Sequence, residues 1–219
     1  MEDKLTRLYE LEQIFSANKY NGTVNEDYIY IKGELPILVS APHAVKQTNK
    51  NHIKFPDTIT GGLALLVNEL TDCHVITKAH NDGADPNNSD MGIDNGYKEK
   101  IIEVMTDENI KLLIDLHGLR GDRQTDVDII THFGMTIGQD ITIIDELKRC
   151  LKENGILNIS ENKYYFAESE MVIVHKIWNV LKIPSIELEI NWHYRNVCEP
   201  NNLIKIIKSL EQFITNYKI

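Results

Sequence analysis

Residues 111–118 read Lys-Leu-Leu-Ile-Asp-Leu-His-Gly, and this stretch decides the fold. Three apolar residues in succession, with no alternation, describe a strand covered on both faces, as in the interior of a parallel sheet. The run closes on Asp115 and His117, two residues apart and therefore on one side of the strand. Open α/β sheets build their sites beyond the carboxyl ends of such strands.

Two other stretches repeat the pattern. Residues 35–40 (LPILVS) lead into Ala41-Pro42-His43, and residues 183–190 (IPSIELEI) place Glu187 and Glu189 on one side between apolar neighbours. Segments of helical period alternate with these strands. Leu5, Leu8, Leu11 and Ile14 recur in steps of three and predict a helix over 3–17, packed outside the main sheet. Further helices are expected over 61–70, 97–107, 141–154, 170–181 and 202–217, with strands at 28–32, 73–78 and 126–131. The strands at 28–32 and 35–40 are expected to pair across a turn at Gly33-Glu34. Residues 80–95 (HNDGADPNNSDMGIDN) can only be a loop, placed on the substrate side. The expected architecture is one α/β domain spanning 1–219, with a central, mostly parallel sheet and helices on both faces.

Composition narrows the functional classes. With 23 Lys plus Arg against 33 Asp plus Glu, the net charge of -10 disfavours nucleic acid, and the basic residues form no cluster. No run approaches the ~20 apolar residues of a membrane span, and residues 1–15 lack a signal-peptide core. Cys73, Cys150 and Cys198 are odd in number and widely spaced, which favours a reducing compartment; a cytoplasmic protein is expected. There is no P-loop, GxGxxG or GxSxG, which counts against nucleotide and serine-hydrolase chemistry.

The polar groups at the strand ends point to a metal. Catalytic zinc takes about three His, Asp or Glu ligands and keeps one position open, and His43 and His117 supply two. Asp115 can orient the ring of His117. Asp57, directly before a helix, reads as an N-cap. Two buried carboxylates, Glu187 and Glu189, require a cation or a hydrogen-bond network, and either one suits a general base. Arg120, Arg123 and Arg195 are candidates to grip a substrate carboxylate, with Asn81 and Asp85 on the loop beside it. His132, His175 and His193 read as structural or surface residues.

The order Leu38-Val-Ser-Ala-Pro-His43-Ala, Asp57-Thr-Ile-Thr-Gly, Asn81-Asp-Gly-Ala-Asp-Pro-Asn87, Asp115-Leu-His-Gly118 and Leu188-Glu-Ile-Asn191 resembles the N-formylglutamate amidohydrolase family. The resemblance implies a zinc-carboxypeptidase-like fold, one Zn2+ per chain, and hydrolysis of the amide of a small acidic substrate such as N-formyl-L-glutamate. It carries the first metal ligand onto His43, the last onto His117 and the middle acidic ligand onto Asp57. Glu189 takes the place of the general base, with Glu187 its rival. Two departures stand out: Lys46 occupies the position where the carboxypeptidase pattern has Glu, and Pro-His-Ala and His-Gly replace the family's Ser-His-x-Gly and His-Ser. The rival readings are a metallopeptidase or deacylase acting on another N-acyl or γ-glutamyl substrate, and a binding protein that keeps the fold without catalysis.

Overall fold

A computed structural model of the chain describes residues 2–22, 26–49, 52–87, 96–165 and 172–217. Its centre is a seven-stranded sheet. In chain order the strands are β1 (Tyr28–Ile31), β2 (Leu35–Ala41), β3 (Gln47–Asn49), β4 (His52–Lys54), β5 (Cys73–Lys78), β6 (Leu112–Leu119), β7 (Val127–Ile130), β8 (Ile159–Glu161) and β9 (Ser185–Asn191). The sheet runs β1-β5-β2-β6-β9-β7-β8, while β3 and β4 form a separate hairpin. The four central strands β5, β2, β6 and β9 are mutually parallel, and antiparallel pairings occur at β1·β5 and β7·β9. The mostly parallel, mixed sheet expected from the apolar runs is the one observed.

Among the described residues six α-helices cover it: α1 (Glu2–Tyr20), α2 (Thr60–Thr71), α3 (Tyr97–Asp107), α4 (Thr142–Glu153), α5 (Ile173–Leu181) and α6 (Pro200–Asn216). α1 loses helical geometry at Ala17, where the backbone turns extended, and Asn18 and Lys19 are left-handed. The predicted end at residue 17 is therefore a real break. The start of the predicted helix 170–181 and the far part of the loop, 88–95, lie outside the described residues.

The two faces of the sheet differ in composition, and that difference makes the site. One face is apolar throughout: Ile37 and Val39 of β2, Leu112, Ile114 and Leu116 of β6, and Ile186, Leu188 and Ile190 of β9 pack against α1, α2, α4 and α6. On the other face only the amino-terminal halves are apolar, with Leu38 and Leu113 packed beneath α3 and α5. Farther along those same strands the residues become Ser40, Asp115, His117, Glu187 and Glu189, all buried. The strand ends beyond α3 and α5 thus open a polar recess within the fold.

One pairing differs from expectation. β1 and β2 do not pair with each other, because β5 lies between them. The amides of Glu34 and Leu35 both donate to the Asp72 carbonyl, at 2.8 and 2.9 Å, which draws the connection across the start of β5 instead of closing a hairpin. The unpredicted strands β3, β4 and β8 have three residues each, too few to display a period.

Candidate metal centre

Because β2, β6 and β9 are adjacent and parallel, their carboxyl ends deliver side chains to one place. In register, Asp115 lies opposite both Ser40 and Glu187, and His117 lies opposite Glu189. His43 follows two residues after β2 ends and folds back over the sheet edge. The Asp57 amide donates to the His43 carbonyl at 2.8 Å, so the segment before α2 returns to the same point.

Here two imidazoles and a carboxylate converge. His43 Nδ1 lies 3.1 Å from His117 Nδ1 and 3.2 Å from Asp57 Oδ2, and His117 Nδ1 is 3.7 Å from the same oxygen. The far ring nitrogens are engaged: His43 Nε2 donates to Asp85 Oδ1 at 2.9 Å, and His117 Nε2 donates to Asp115 Oδ2 at 3.0 Å. Those carboxylates fix the proton on Nε2 in each neutral ring, so both Nδ1 atoms present lone pairs. Two lone pairs and a carboxylate oxygen facing one another repel unless a proton or a metal ion joins them. Donor atoms on a tetrahedral zinc with bonds of about 2.0–2.2 Å stand roughly 3.3 Å apart, and the observed triangle has that size. Among the described residues, His43, Asp57 and His117 form one of two groups whose ligand atoms lie within 4.8 Å of one another. The other, Asp115, His117 and Glu187, uses the His117 nitrogen already committed to Asp115. The first group fits a zinc ion.

The surrounding carboxylates favour positive charge at this point. Burial disfavours a charged His117, yet the carboxylates of Glu187 and Asp115 raise its pKa well above the usual range. Burial would raise Asp57 too, but the imidazoles of His117 and His43 hold it well below the ordinary carboxylate value. Burial lifts Glu189 to about 8, with His117 opposing and Glu187 reinforcing the shift; burial also lifts Glu187. Glu187 Oε2, Glu189 Oε2 and Asp115 Oδ1 are buried without a hydrogen-bond partner among the described residues. Glu187 and Glu189 line a cavity of about 360 Å³ with the His43, Asp57 and His117 side chains.

The remaining predicted residues divide. Asp85 joins the centre through His43. Asn81 does not line the cavity; it bonds Asn21 and Thr48 and ties the start of its loop to the end of α1. Arg195 is buried and donates to three main-chain carbonyls, those of Ile190, Thr58 and Leu119. Arg120 is exposed beside Asp122, and Arg123 lies over the Tyr164 ring with 5.0 Å to its centroid. Asp57 is not a side-chain cap of α2: its carboxylate faces His43, and only its carbonyl receives Thr60.

Sequence reasoning missed Lys54, Tyr164, Tyr165 and Val172, which line the cavity, and had Asn87 only as part of a motif. Lys54 Nζ stands 3.4 Å from His43 Nδ1 and 3.6 Å from Asp85, an arrangement that needs the Nδ1 lone pair. The Tyr165 phenol is raised by burial and by Glu189. Nothing in the polar stretch around Lys54 or in the Tyr-Tyr pair after a three-residue strand announces these positions.

No family model matches the chain, and none of the curated proteins matches it. Solved structures do. A bacteriophage poly-γ-glutamate hydrolase is 13% identical over 87% of this chain and 89% of its own, with a TM-score of 0.51. A putative carboxypeptidase A from Shewanella denitrificans OS-217 is 11% identical over 85% of this chain and 60% of its own, with a TM-score of 0.55. A metallo-carboxypeptidase from Pseudomonas aeruginosa is 9% identical over 85% of this chain and 59% of its own, with a TM-score of 0.52. The fold is metallo-carboxypeptidase-like. Lys46, whose amide donates to the Tyr20 carbonyl at 2.8 Å, does not line the cavity. The acidic group beside the two histidines comes instead from Asp57.

Proposed function

We propose that the chain is a metal-dependent amidohydrolase whose zinc is held by His43, Asp57 and His117. One observation carries this reading: two imidazole Nδ1 atoms face each other at 3.1 Å while each Nε2 is held by its own carboxylate. Bound there, Zn2+ would polarise the scissile carbonyl and make a water acidic enough to attack near neutral pH.

The protein's own groups supply the rest. Glu189, buried and with an unpartnered oxygen in the cavity, would be ionised by a zinc ion beside it, which offsets the effect of burial, and then takes the proton of the attacking water and passes it to the leaving nitrogen. Glu187, one pair deeper in the sheet beside Asp115, keeps His117 electron-rich. Asp85 and Asp115 hold the two rings in orientation. Lys54 on the cavity wall, Arg123 over the lining Tyr164 and Arg120 on the adjoining recess favour a substrate that carries a carboxylate. A small N-acyl amino acid of the N-formylglutamate type, met in the cytoplasm, satisfies these requirements together with the motif order. Glu189 within the cavity supports catalysis over simple binding.

A γ-glutamyl or peptide amide is the second reading, favoured by the space around the centre. A further recess of about 450 Å³ shares Asp57 and Gly118 with the first cavity and is walled by Phe55, Trp192 and Arg120. It offers room for a second residue of an extended substrate, and the phage neighbour is named a poly-γ-glutamate hydrolase.

The test is a panel of N-formyl, N-acetyl and γ-glutamyl amino acids assayed before and after chelation. Turnover of one class that is lost on chelation and restored by zinc is expected. Full turnover in the chelated protein contradicts the proposal.

A further inference from the structure

Asp57 sits on a segment that does not hold itself in place. Ile59, two residues on, has φ 75°, a left-handed conformation that a β-branched side chain adopts only under constraint. α2 begins immediately after it, with no side-chain cap and no acidic residue in its first turn. The free amides of that turn are answered by α1, some fifty residues earlier in the chain. Glu12, 5% exposed, accepts the Ile59 amide on Oε1 at 2.8 Å and the Gly62 amide on Oε2 at 2.9 Å. The Tyr20 hydroxyl donates to Oε1 at 3.0 Å and fixes the carboxylate. A Cβ on Gly62 would come within 2.9 Å of Glu12 Oε2 and 3.0 Å of the Glu12 main chain, so this glycine is what lets α1 approach so closely. From the opposite side Arg195 Nη1 grips the Thr58 carbonyl at 2.7 Å.

We propose that Glu12 is a positioning residue of the metal centre: from the N-terminal helix it clamps the strained Ile59 turn and so holds Asp57 against the two histidines. One carboxylate bridges amides on both sides of the strained turn and leaves Asp57 a single orientation. α1 is thereby a working part of the site instead of a covering element. This inference rests on the reading of His43, Asp57 and His117 as zinc ligands.

The test is zinc affinity, read by competition with a chromophoric chelator, in the wild-type chain and in four variants. Glu12→Gln, which keeps only one acceptor oxygen, is expected to lose about 10- to 100-fold in affinity, the usual effect of disturbing a group that orients a ligand. Leu147→Ala, on the buried face of α4, is the control for a general loss of stability and should bind zinc as the wild type does. Ile59→Gly removes the strain that Glu12 restrains, because glycine accepts a positive φ, so Glu12→Gln with Ile59→Gly should regain part of the lost affinity. If Glu12→Gln binds zinc within twofold of the wild type, or Leu147→Ala loses as much, the positioning role is overturned. A wild-type protein that takes up no zinc overturns the metal reading itself, and this inference with it.

Discussion

Gly118 is the tightest point of the centre. A Cβ at that position would lie 2.4 Å from Arg195 Nη2 and 2.7 Å from Asp57 Oδ1. Arg195 is held by three carbonyls, so Asp57 is the group that must yield. Gly118→Ala should therefore weaken zinc binding about 10- to 100-fold while the protein stays folded; an unchanged chelator competition curve would show that the guanidinium moves instead. His132 supports a different prediction, away from the metal. Burial and the neighbouring His175 lower its pKa to about 4 from the ordinary 6.5. The folded state resists its protonation, so the stability it contributes is complete above pH 6.5 and lost as the pH falls through 4. His132→Asn, which tolerates the left-handed backbone there, lacks this acid-side loss. The difference in urea unfolding free energy between the two proteins should turn against the wild type as the pH is lowered across that window; parallel pH profiles would contradict it.

At the scale of elements, the short strand β8 shows how a small piece serves the site. Asp128 of β7 is fully buried, and its carboxylate accepts the Ser160 hydroxyl and the Lys163 and Tyr164 amides. It thus fastens β8 and the turn that carries Tyr164 and Tyr165 into the cavity. Asp128→Ala leaves those donors unanswered and should destabilise the protein by on the order of 3 kcal/mol in urea unfolding; a loss below about 1 kcal/mol would mean that water replaces the carboxylate. β6 and β9 were legible in the sequence because eight and seven residues suffice to show an apolar run ending in charge. β3, β4 and β8 were not, and the place of β5 between β1 and β2 depends on Asp72, a contact no local pattern records. The capping reading of Asp57 failed for a related reason: the cap of α2 comes from Glu12, and local sequence carries no trace of so distant a partner.

For the whole molecule, five acidic residues, Asp57, Asp85, Asp115, Glu187 and Glu189, meet at one end of the sheet in a chain of net charge -10. Lys54 and Arg195 stand beside them, and a dication would offset what they leave. The two histidines and two glutamates were legible because parallel strands all end on the same side. Lys54 and the paired tyrosines were not, since they arrive on a hairpin and a turn whose placement is purely tertiary. The most direct measurement is elemental analysis of freshly purified wild-type protein beside His117→Ala, with folding of both checked by circular dichroism. The account predicts one zinc per wild-type chain and almost none in the folded variant. A wild type without stoichiometric metal, or a variant that keeps it, would contradict the account.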